Sequence, residues 1–551
     1  MTETPDGTGG SGRSPAGPGS VGSYRSRYDR DPTPPSRRML QQVEGRVLDP
    51  ATAITVAGVS PRPTVYVGPR LVVSALRDRG EVLAMLREVA GALDWEVRVD
   101  RSFRPARVNG GEERRARWQQ RRSWAKGQLG VSRFKLTVKS EKAAVAPDGW
   151  VLLQQARARF GVDSLQGVGL DHVLFVTPFD SSNPFDSSNP FDSSNPFAAS
   201  SSYPVATYGV PGSGGRQPVA YVGPPPARRP DADLPGRRPV VGILDTGCGS
   251  HPWLDPVVRT DIGIDGRRIG YTNPATNPEN RGDQVGPLDG GIDELSGHGT
   301  FIAGLVHQGC PDADIAAWRV VNSSGPIVES DWVNGLTQVA ELVRRYYDGD
   351  PDGHPVDVLN MSMGYYHETP EDHLFDPTMY HLVELLGECG TVVTCSAGND
   401  ATARPLFPAA FAPWSNGKGQ VQPSGECVPV VSVGALNPNT KTVALFSNTG
   451  PWVRSYANGA AVLSTMPPLQ GGLQPMARTR AYGRVRESID PDDFTGQFAV
   501  WSGTSFAAPL QAGRIASLML DKMPARDAAP SRAEAVQRGW DAVSEATSIT
   551  P

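Results

Sequence analysis

From Pro239 onward, short apolar runs alternate with longer segments of helical periodicity, and this alternation constrains the fold more than any other feature. The apolar runs include PVVGILD, DIAAWRVV, PVDVLNMS, TVVTCSAG and CVPVVSVGAL. They lack the alternation of polar and apolar residues, which is typical of strands buried on both faces of a parallel sheet. Helical segments such as SDWVNGLTQVAELVRRYY stand between them. The pattern predicts an α/β domain with a largely parallel sheet.

Three polar residues stand among glycines at the ends of these predicted elements. Asp245 ends a strand in VVGILDTGCGS, His298 begins a helix in SGHGTFIAGLVH, and Ser505 begins another helix in WSGTSFAAPLQAG. A serine hydroxyl is a weak nucleophile unless an imidazole removes its proton, and a carboxylate must hold the tautomer of that imidazole. Each residue alone could be a turn or helix cap. Together they indicate nucleophilic catalysis.

With these motifs in this order, the chain resembles the subtilisin-like serine proteases, peptidase family S8. The matching segments are DTG at Asp245, GHGT at His298, GTSFAAP at Ser505 and CSAGND at Asn399. The resemblance implies a catalytic triad of the first three residues. It also implies an oxyanion hole formed by the Asn399 side chain and the Ser505 backbone N–H. The expected activity is that of a serine-type endopeptidase that forms an acyl-enzyme with peptide or protein substrates.

The resemblance extends to the substrate cleft and to cofactors. LNMSMG is similar to the strand that pairs with the substrate backbone in this family. The substrate-binding residues expected from the resemblance are Ser362, Met363, Gly364, Ala397 and Gly398. No catalytic metal and no cofactor are expected. Structural calcium, which many relatives bind, is left open because no oxygen-rich loop is evident.

A second domain is predicted at residues 61–177. Its predicted elements follow the order β-α-β-β-α-β, which is the ferredoxin-like arrangement. Subtilisin-like proteases often carry a propeptide of this fold, so the resemblance implies an α+β domain that inhibits the peptidase of the same chain. Element order alone is weak support for that role, since many unrelated proteins share the fold. The subtilisin-like domain is expected to occupy residues 237–551.

Two further segments are predicted to lack a fold. Residues 1–60 are rich in Gly, Pro and Ser and are expected to be disordered. Residues 178–236 form a predicted low-complexity linker that opens with three copies of the hexapeptide PFDSSN. Such a linker would let the upstream domain cover the cleft while it stays tethered. The Phe in each copy leaves open that a repeat enters the substrate groove or is itself cleaved.

A basic segment supports a competing hypothesis. Residues 101–135 hold eleven Arg and Lys against two Glu, although the whole chain has a net charge of −5. The order β-α-β-β-α-β is also that of RNA-recognition modules, but the predicted strand RFKLTV lacks their aromatic signature. The alternative is a regulatory or nucleic-acid-interacting protein on a protease-like fold. Charge alone is weak support for it, so nucleic-acid binding is the less favoured interpretation.

The sequence gives no sign of a membrane span or of export. No apolar run reaches the ~18 residues that could cross a bilayer, and the first residues lack a signal-peptide pattern. Five widely spaced cysteines without CxxC pairs indicate free thiols in a reducing compartment. We therefore expect a cytoplasmic protein with no membrane partner. Unconventional secretion is left open.

Overall fold

The computed structural model describes residues 37–109, 127–174, 215–284, 290–321, 326–369 and 377–551, and the single positions 32, 119, 208 and 288. The PFDSSN repeats and much of the basic segment lie outside these ranges, so the predictions made for them stay predictions. Within the described ranges, no helix is long and apolar enough to cross a membrane.

The upstream part of the chain forms an antiparallel sheet with two helices on one face. Its elements are helix α1 (Arg37–Gln42), strands β1 (Gly45–Leu48), β2 (Thr64–Val67) and β3 (Arg70–Ser74), helix α2 (Arg79–Ala92), strands β4 (Trp95–Val99), β5 (Val108–Asn109), β6 (Gln128–Leu129) and β7 (Val131–Val138), helix α3 (Gly149–Phe160), and strands β8 (Val168–Gly169) and β9 (Val173–Leu174). The main sheet has the order β4-β7-β3-β8, with every neighbouring pair antiparallel. Element order and strand order both agree with the predicted ferredoxin-like arrangement.

Three details of this region differ from the prediction. The expected disorder up to residue 60 is wrong for β1, which pairs with β2, because Leu48 joins the buried core of the domain. The run TVYVGPRLVVSA forms two strands that are separated by a turn at residues 68 and 69. The described part of the run HVLFVTPF, residues 172–174, does not supply the fourth strand of the main sheet. That strand is β8, while β9 leaves the sheet and pairs with a strand further along the chain.

The downstream part is a parallel sheet between two layers of helices. Its elements are strands β10 (Gln217–Pro218), β11 (Val240–Asp245), β12 (Val258–Arg259), β13 (Gly263–Ile264) and β14 (Arg267–Arg268), helix α4 (His298–Gly309), strands β15 (Asp314–Arg319) and β16 (Ile327–Val328), helix α5 (Glu329–Tyr347), strand β17 (Val358–Met361), helix α6 (Pro377–Glu388), strands β18 (Val392–Ser396), β19 (Val431–Leu436), β20 (Ser455–Asn458), β21 (Val462–Thr465), β22 (Arg478–Ala481), β23 (Arg484–Glu487) and β24 (Phe498–Trp501), and helices α7 (Thr504–Met519) and α8 (Arg532–Ala546).

Seven strands form the central sheet in the order β12-β15-β11-β17-β18-β19-β20, and every neighbouring pair is parallel. The α/β class with a largely parallel sheet is therefore confirmed. Strand β11 shows why its apolar run is continuous. Val241 and Ile243 pack in one core, whereas Val240 and Leu244 pack in the core on the opposite side. Because both faces of the strand are buried, neither face needs polar residues.

The upstream sheet uses its second face to pack on the downstream domain. In β3, Leu71 and Val73 belong to the core formed with α2 and α3. The intervening Val72 belongs to a different core, which it shares with Trp332 and Leu336 of α5. Successive side chains of a strand point to opposite faces, so the two cores lie on the two sides of the upstream sheet. The two domains therefore share one continuous apolar core.

Buried polar contacts fix the orientation of the two domains. The Asp171 carboxylate accepts hydrogen bonds from the Ser330 backbone N–H at 3.0 Å and from its hydroxyl at 2.9 Å, at the first turn of α5. An acidic group is favoured at a helix N-terminus, where backbone N–H groups lack partners. The Arg133 guanidinium contacts Asp331 in the same turn at 2.7 Å. The upstream domain thus caps a helix of the downstream domain.

Candidate active site

Strand β11 and helix α4 bring Asp245 and His298 together. His298 Nδ1 lies 2.7 Å from Asp245 Oδ1, and both side chains are fully buried. The same carboxylate oxygen accepts a hydrogen bond from the Thr246 backbone N–H at 2.8 Å, which holds the carboxylate in place. His298 Nε2 has no hydrogen-bond partner among the described residues. The aspartate therefore orients the ring, and Nε2 is the nitrogen left to exchange a proton.

Ser505 lies in the first turn of α7, and the residue that follows it contacts the imidazole of His298. The ring of the following residue, Phe506, lies 5.3 Å from the His298 ring, centroid to centroid. The Ser505 hydroxyl donates to the Ser362 carbonyl oxygen at 3.1 Å, and the Ser362 hydroxyl donates to the Ser505 carbonyl oxygen at 2.9 Å. The structure thus brings the predicted nucleophile, base and acid into one buried region.

Asn399 is held by the residue that precedes the predicted nucleophile. Its side-chain oxygen accepts hydrogen bonds from the Thr504 backbone N–H at 2.9 Å and from the Thr504 hydroxyl at 2.8 Å. The adjacent Gly398 has a φ of +97°, and an added Cβ would lie 2.4 Å from Asn448 Nδ2. Only glycine fits both the dihedral and the space. This segment therefore presents the Asn399 amide to the start of α7 in a fixed orientation.

The other predicted substrate-binding residues line the same buried region. Ser362 bonds Ser505 directly, whereas Met363 is 1% exposed and packs in the large core shared by the two domains. An added Cβ at Gly364 would lie 2.7 Å from the Phe407 carbonyl oxygen. Ala397 continues β18 and donates its N–H to a carbonyl of β19 at 2.9 Å. These positions form the floor beside Ser505, and their contact with a substrate stays a prediction.

Glu279 is a site residue that the sequence analysis missed. Its buried carboxylate is hydrogen-bonded to the hydroxyls of Thr246 and Thr300, and it accepts from the Gly299 backbone N–H at 3.1 Å. Burial, with the nearby charge of Asp245 as a further cause, raises the pKa of Glu279 to about 7. The carboxyl links the loop after β11 to the start of α4. Its sequence context, NPEN, carries no motif, so only the folded chain reveals the role.

Replacing Glu279 with glutamine should flatten the pH dependence of stability. A carboxyl whose pKa is higher in the folded chain binds more protons there, so stability falls as pH rises from ~4.3 towards 7. The loss is on the order of 3 kcal/mol for a shift of this size. Glu279→Gln removes the titrating group and keeps the shape. Urea unfolding of the parent and the variant at pH 5 and pH 7.5, both with Ser505→Ala, measures the difference. If the free energy of unfolding changed equally with pH in both chains, Glu279 would not be the group whose pKa is raised.

Comparison with known proteins identifies the same family as the sequence motifs. The family model of the Subtilase family, Peptidase S8, matches residues 236–537. Serine protease AprX of Bacillus subtilis (strain 168) is 26% identical over 303 residues, which are 53% of this chain and 59% of AprX. The major intracellular serine protease of the same strain is 23% identical over 297 residues, which are 51% of this chain and 68% of that protein.

Fervidolysin from Fervidobacterium pennivorans, a solved structure, aligns with a TM-score of 0.42 at 18% identity and covers 84% of this chain and 56% of fervidolysin. The chain spans about three fifths of AprX. The family match includes all four motifs quoted above and covers just over half of the chain. On this basis the chain belongs to the subtilase family, and the predicted resemblance is confirmed.

Proposed function

We propose that the chain is a serine endopeptidase that cleaves peptide bonds through an acyl-enzyme. The observation that carries the proposal is the 2.7 Å contact between His298 Nδ1 and Asp245, close to the first turn of α7, which contains Ser505. The Ser505 Oγ attacks the carbonyl carbon while His298 Nε2 takes the hydroxyl proton. His298 then gives this proton to the leaving amine as the C–N bond breaks. Water hydrolyses the ester by the same route.

Two hydrogen-bond donors would stabilise the charge that develops on the carbonyl oxygen. The hydrogen bonds from Thr504 fix the side-chain oxygen of Asn399, so the amide NH₂ of Asn399 points away from Thr504. The Ser505 backbone N–H belongs to the first turn of α7, where N–H groups lack helical partners. One donor of this kind contributes ~10²–10³ in rate. Nucleophile, base and donors all come from the chain itself, so we propose that the reaction needs no cofactor.

Reaction with a fluorophosphonate tests this proposal. In the Leu174→Asp background described below, which relieves the proposed inhibition, the reagent should attach to Ser505, and the same chain with Ser505→Ala should stay unlabelled. Ser517→Ala is the matched control, because Ser517 is an exposed serine on the same helix, α7. Labelling is measured by intact mass and peptide mapping. A label that persists in Ser505→Ala would contradict the assignment of the nucleophile.

We further propose that the upstream domain inhibits the peptidase of its own chain. Strand β9 pairs antiparallel with β16, so the upstream and downstream domains contribute one strand each to a two-stranded sheet. Asp245 and His298 are 0% exposed, and Ser505 is 1% exposed. These values describe the chain with the upstream domain docked. We expect separation of β9 from β16 to be the first step of activation.

Leu174→Asp should activate the enzyme. Leu174 is 1% exposed and belongs to the core shared by the two domains, so a carboxylate there destabilises the paired state of β9. We expect the initial rate of hydrolysis of a short chromogenic peptide to rise at least tenfold. Val138→Asp is the control, since Val138 lies in the same domain and is 51% exposed. An unchanged rate in Leu174→Asp, with a folded chain, would refute inhibition by this contact.

Two of the described basic residues of the segment 101–135 do not support the nucleic-acid alternative. Arg133 is buried and contacts Asp331, as stated above. Arg107 donates to the carbonyl oxygens of Ala106 and Val131 at 2.8 and 2.7 Å. These two guanidinium groups stabilise the protein itself and are not presented to a phosphate backbone.

We infer that the protein works inside the cell. All five cysteines lie in the described residues and are free thiols, which is typical of a reducing compartment. Two of the relatives it matches are named intracellular serine proteases.

A further inference from the structure

Four buried imidazole and carboxylate groups meet where the upstream domain joins the peptidase. His172 precedes β9, Glu329 begins α5, and His367 and Glu368 lie in the loop after β17. Each residue is at most 2% exposed. We name these four residues the junction cluster. None of them takes part in the proposed hydrolysis, so the cluster needs a separate explanation.

Three side chains of the junction cluster converge on one point. His172 Nε2 lies 2.7 Å from Glu368 Oε2, and His367 Nδ1 lies 3.5 Å from the same oxygen. One nitrogen or oxygen from each of the three residues lies within 4.8 Å of the other two. Two imidazoles and one carboxylate form the donor set of zinc sites with three protein ligands.

Glu329 orients the imidazole of His172 from the opposite side. Its Oε2 lies 2.6 Å from His172 Nδ1 and 3.3 Å from the His172 backbone N. Its backbone N–H donates to the His172 carbonyl oxygen at 2.8 Å. A carboxylate on one ring nitrogen orients the ring for a metal at the other nitrogen. Here that nitrogen, Nε2, is hydrogen-bonded to Glu368, so a bound metal ion would replace the proton between them. Glu329 Oε1 is buried and has no hydrogen-bond partner among the described residues.

The distances between these three ligand atoms allow them to bind one metal ion after small movements of the side chains. Ligands ~2.0–2.2 Å from a tetrahedral ion lie ~3.3–3.6 Å from one another. The contact between His367 and Glu368 already has this length. The contact between His172 and Glu368 must open by ~0.6 Å to reach it. Coordination through His367 Nδ1 would replace the hydrogen bond that this atom accepts from the Thr369 backbone N–H at 3.0 Å. Two nitrogen ligands favour Zn²⁺ over Ca²⁺ or Mg²⁺, which prefer oxygen.

We propose that the junction cluster binds a divalent transition-metal ion of the zinc class, with His172, His367 and Glu368 as ligands. Glu329 is the positioning residue for His172. One ligand comes from the upstream domain and two come from the peptidase, so the ion connects the two domains. An ion that binds only the docked arrangement stabilises that arrangement by mass action. The proposal does not depend on the proposed peptidase activity.

Zinc titration of the inactive full-length chain tests the proposal. The Ser505→Ala chain is treated with EDTA, dialysed, and titrated with ZnCl₂ by isothermal calorimetry. We expect one Zn²⁺ per chain with a micromolar or lower Kd, and a higher melting temperature. Co²⁺ should give the visible absorption bands of a four- or five-coordinate site. Ca²⁺ should produce none of these effects. None of these readouts requires an active enzyme, so failure of the proposed function would not affect them.

Variants of the junction cluster distinguish zinc binding at the cluster from nonspecific zinc binding at the protein surface. His172→Ala and Glu368→Gln should abolish the stoichiometric binding of zinc. Glu329→Gln should weaken it ~10–100-fold, as is typical for a residue that orients a ligand. If the His172→Ala chain does not fold, the isosteric Glu368→Gln carries the test.

His381→Ala is the matched control. His381 also contacts a glutamate, Glu384, at 2.9 Å, but this pair lies within helix α6 and away from the cluster. The control chain should bind zinc like the parent. Zinc binding that is absent from the parent, or equally strong in His172→Ala, would overturn the proposal. The junction cluster would then be a hydrogen-bonded histidine between two carboxylates.

Discussion

Replacing Ser505 with alanine should lower kcat by a factor on the order of 10⁶. The Ser505 Oγ is the only atom of the proposed mechanism that bonds covalently to the substrate, and its loss leaves His298 with no nucleophile to activate. The contacts of Asn399 with Thr504 do not involve the Ser505 side chain, so the oxyanion donors should remain in place. Residual hydrolysis of ~10³–10⁴ over the uncatalysed rate is therefore expected.

The proposed inhibition by the upstream domain determines how this loss is measured. Because inhibition would hide activity in the parent, Ser505→Ala is compared with its parent in the Leu174→Asp background as well. A chromogenic peptide gives kcat and KM, and Ser517→Ala serves again as the matched control. KM should change little, since the substrate-binding residues are retained. A loss of less than tenfold in both backgrounds would exclude Ser505 as the nucleophile.

Replacing Asp245 with alanine should lower kcat by ~10⁴. The change removes the only hydrogen-bond partner recorded for His298 Nδ1 among the described residues and the charge that stabilises the protonated ring. Asp245→Asn separates these two effects. In the structure one oxygen, Oδ1, contacts both His298 and the Thr246 N–H, so an asparagine can keep both contacts while it loses the charge.

The comparison of the two Asp245 variants is measured with the same peptide in the Leu174→Asp background. Asparagine should retain more activity than alanine if orientation of the ring contributes separately from charge. Asp255→Ala, which changes an exposed carboxylate ten residues away, should have no effect on kcat. A wild-type rate in Asp245→Ala would mean that His298 does not depend on this carboxylate.

The sequence predicted those parts of the fold that depend on local pattern. The apolar run of β11 identified a strand buried on both faces, because burial on both sides removes the alternation of polar residues. The motifs at Asp245 and His298 lie at the end of β11 and the start of α4, and the structure brings the two side chains into contact. Local pattern and position were sufficient here because each motif coincides with the end of one element.

Features that depend on partners distant in sequence could not be predicted. Val173 and Leu174 of the run HVLFVTPF form the strand β9, but the partner of β9 is β16, more than 150 residues away, and apolar pattern does not identify a partner strand. Glu279 reaches the site from a loop without a motif. The junction cluster combines His172 with His367, and their proximity exists only after the two domains have packed together.

The shared core of the two domains also affects what happens after they separate. Val72 and Val131 of the upstream sheet, with Trp332 and Leu336 of α5, are at most 3% exposed while the domains are packed together. Full exposure of each such side chain to water costs ~1.5–3 kcal/mol of free energy. A detached upstream domain would present an unpaired apolar sheet face to an active peptidase. If the chain is the endopeptidase proposed above, it would cleave such a domain, and this cleavage would make activation irreversible.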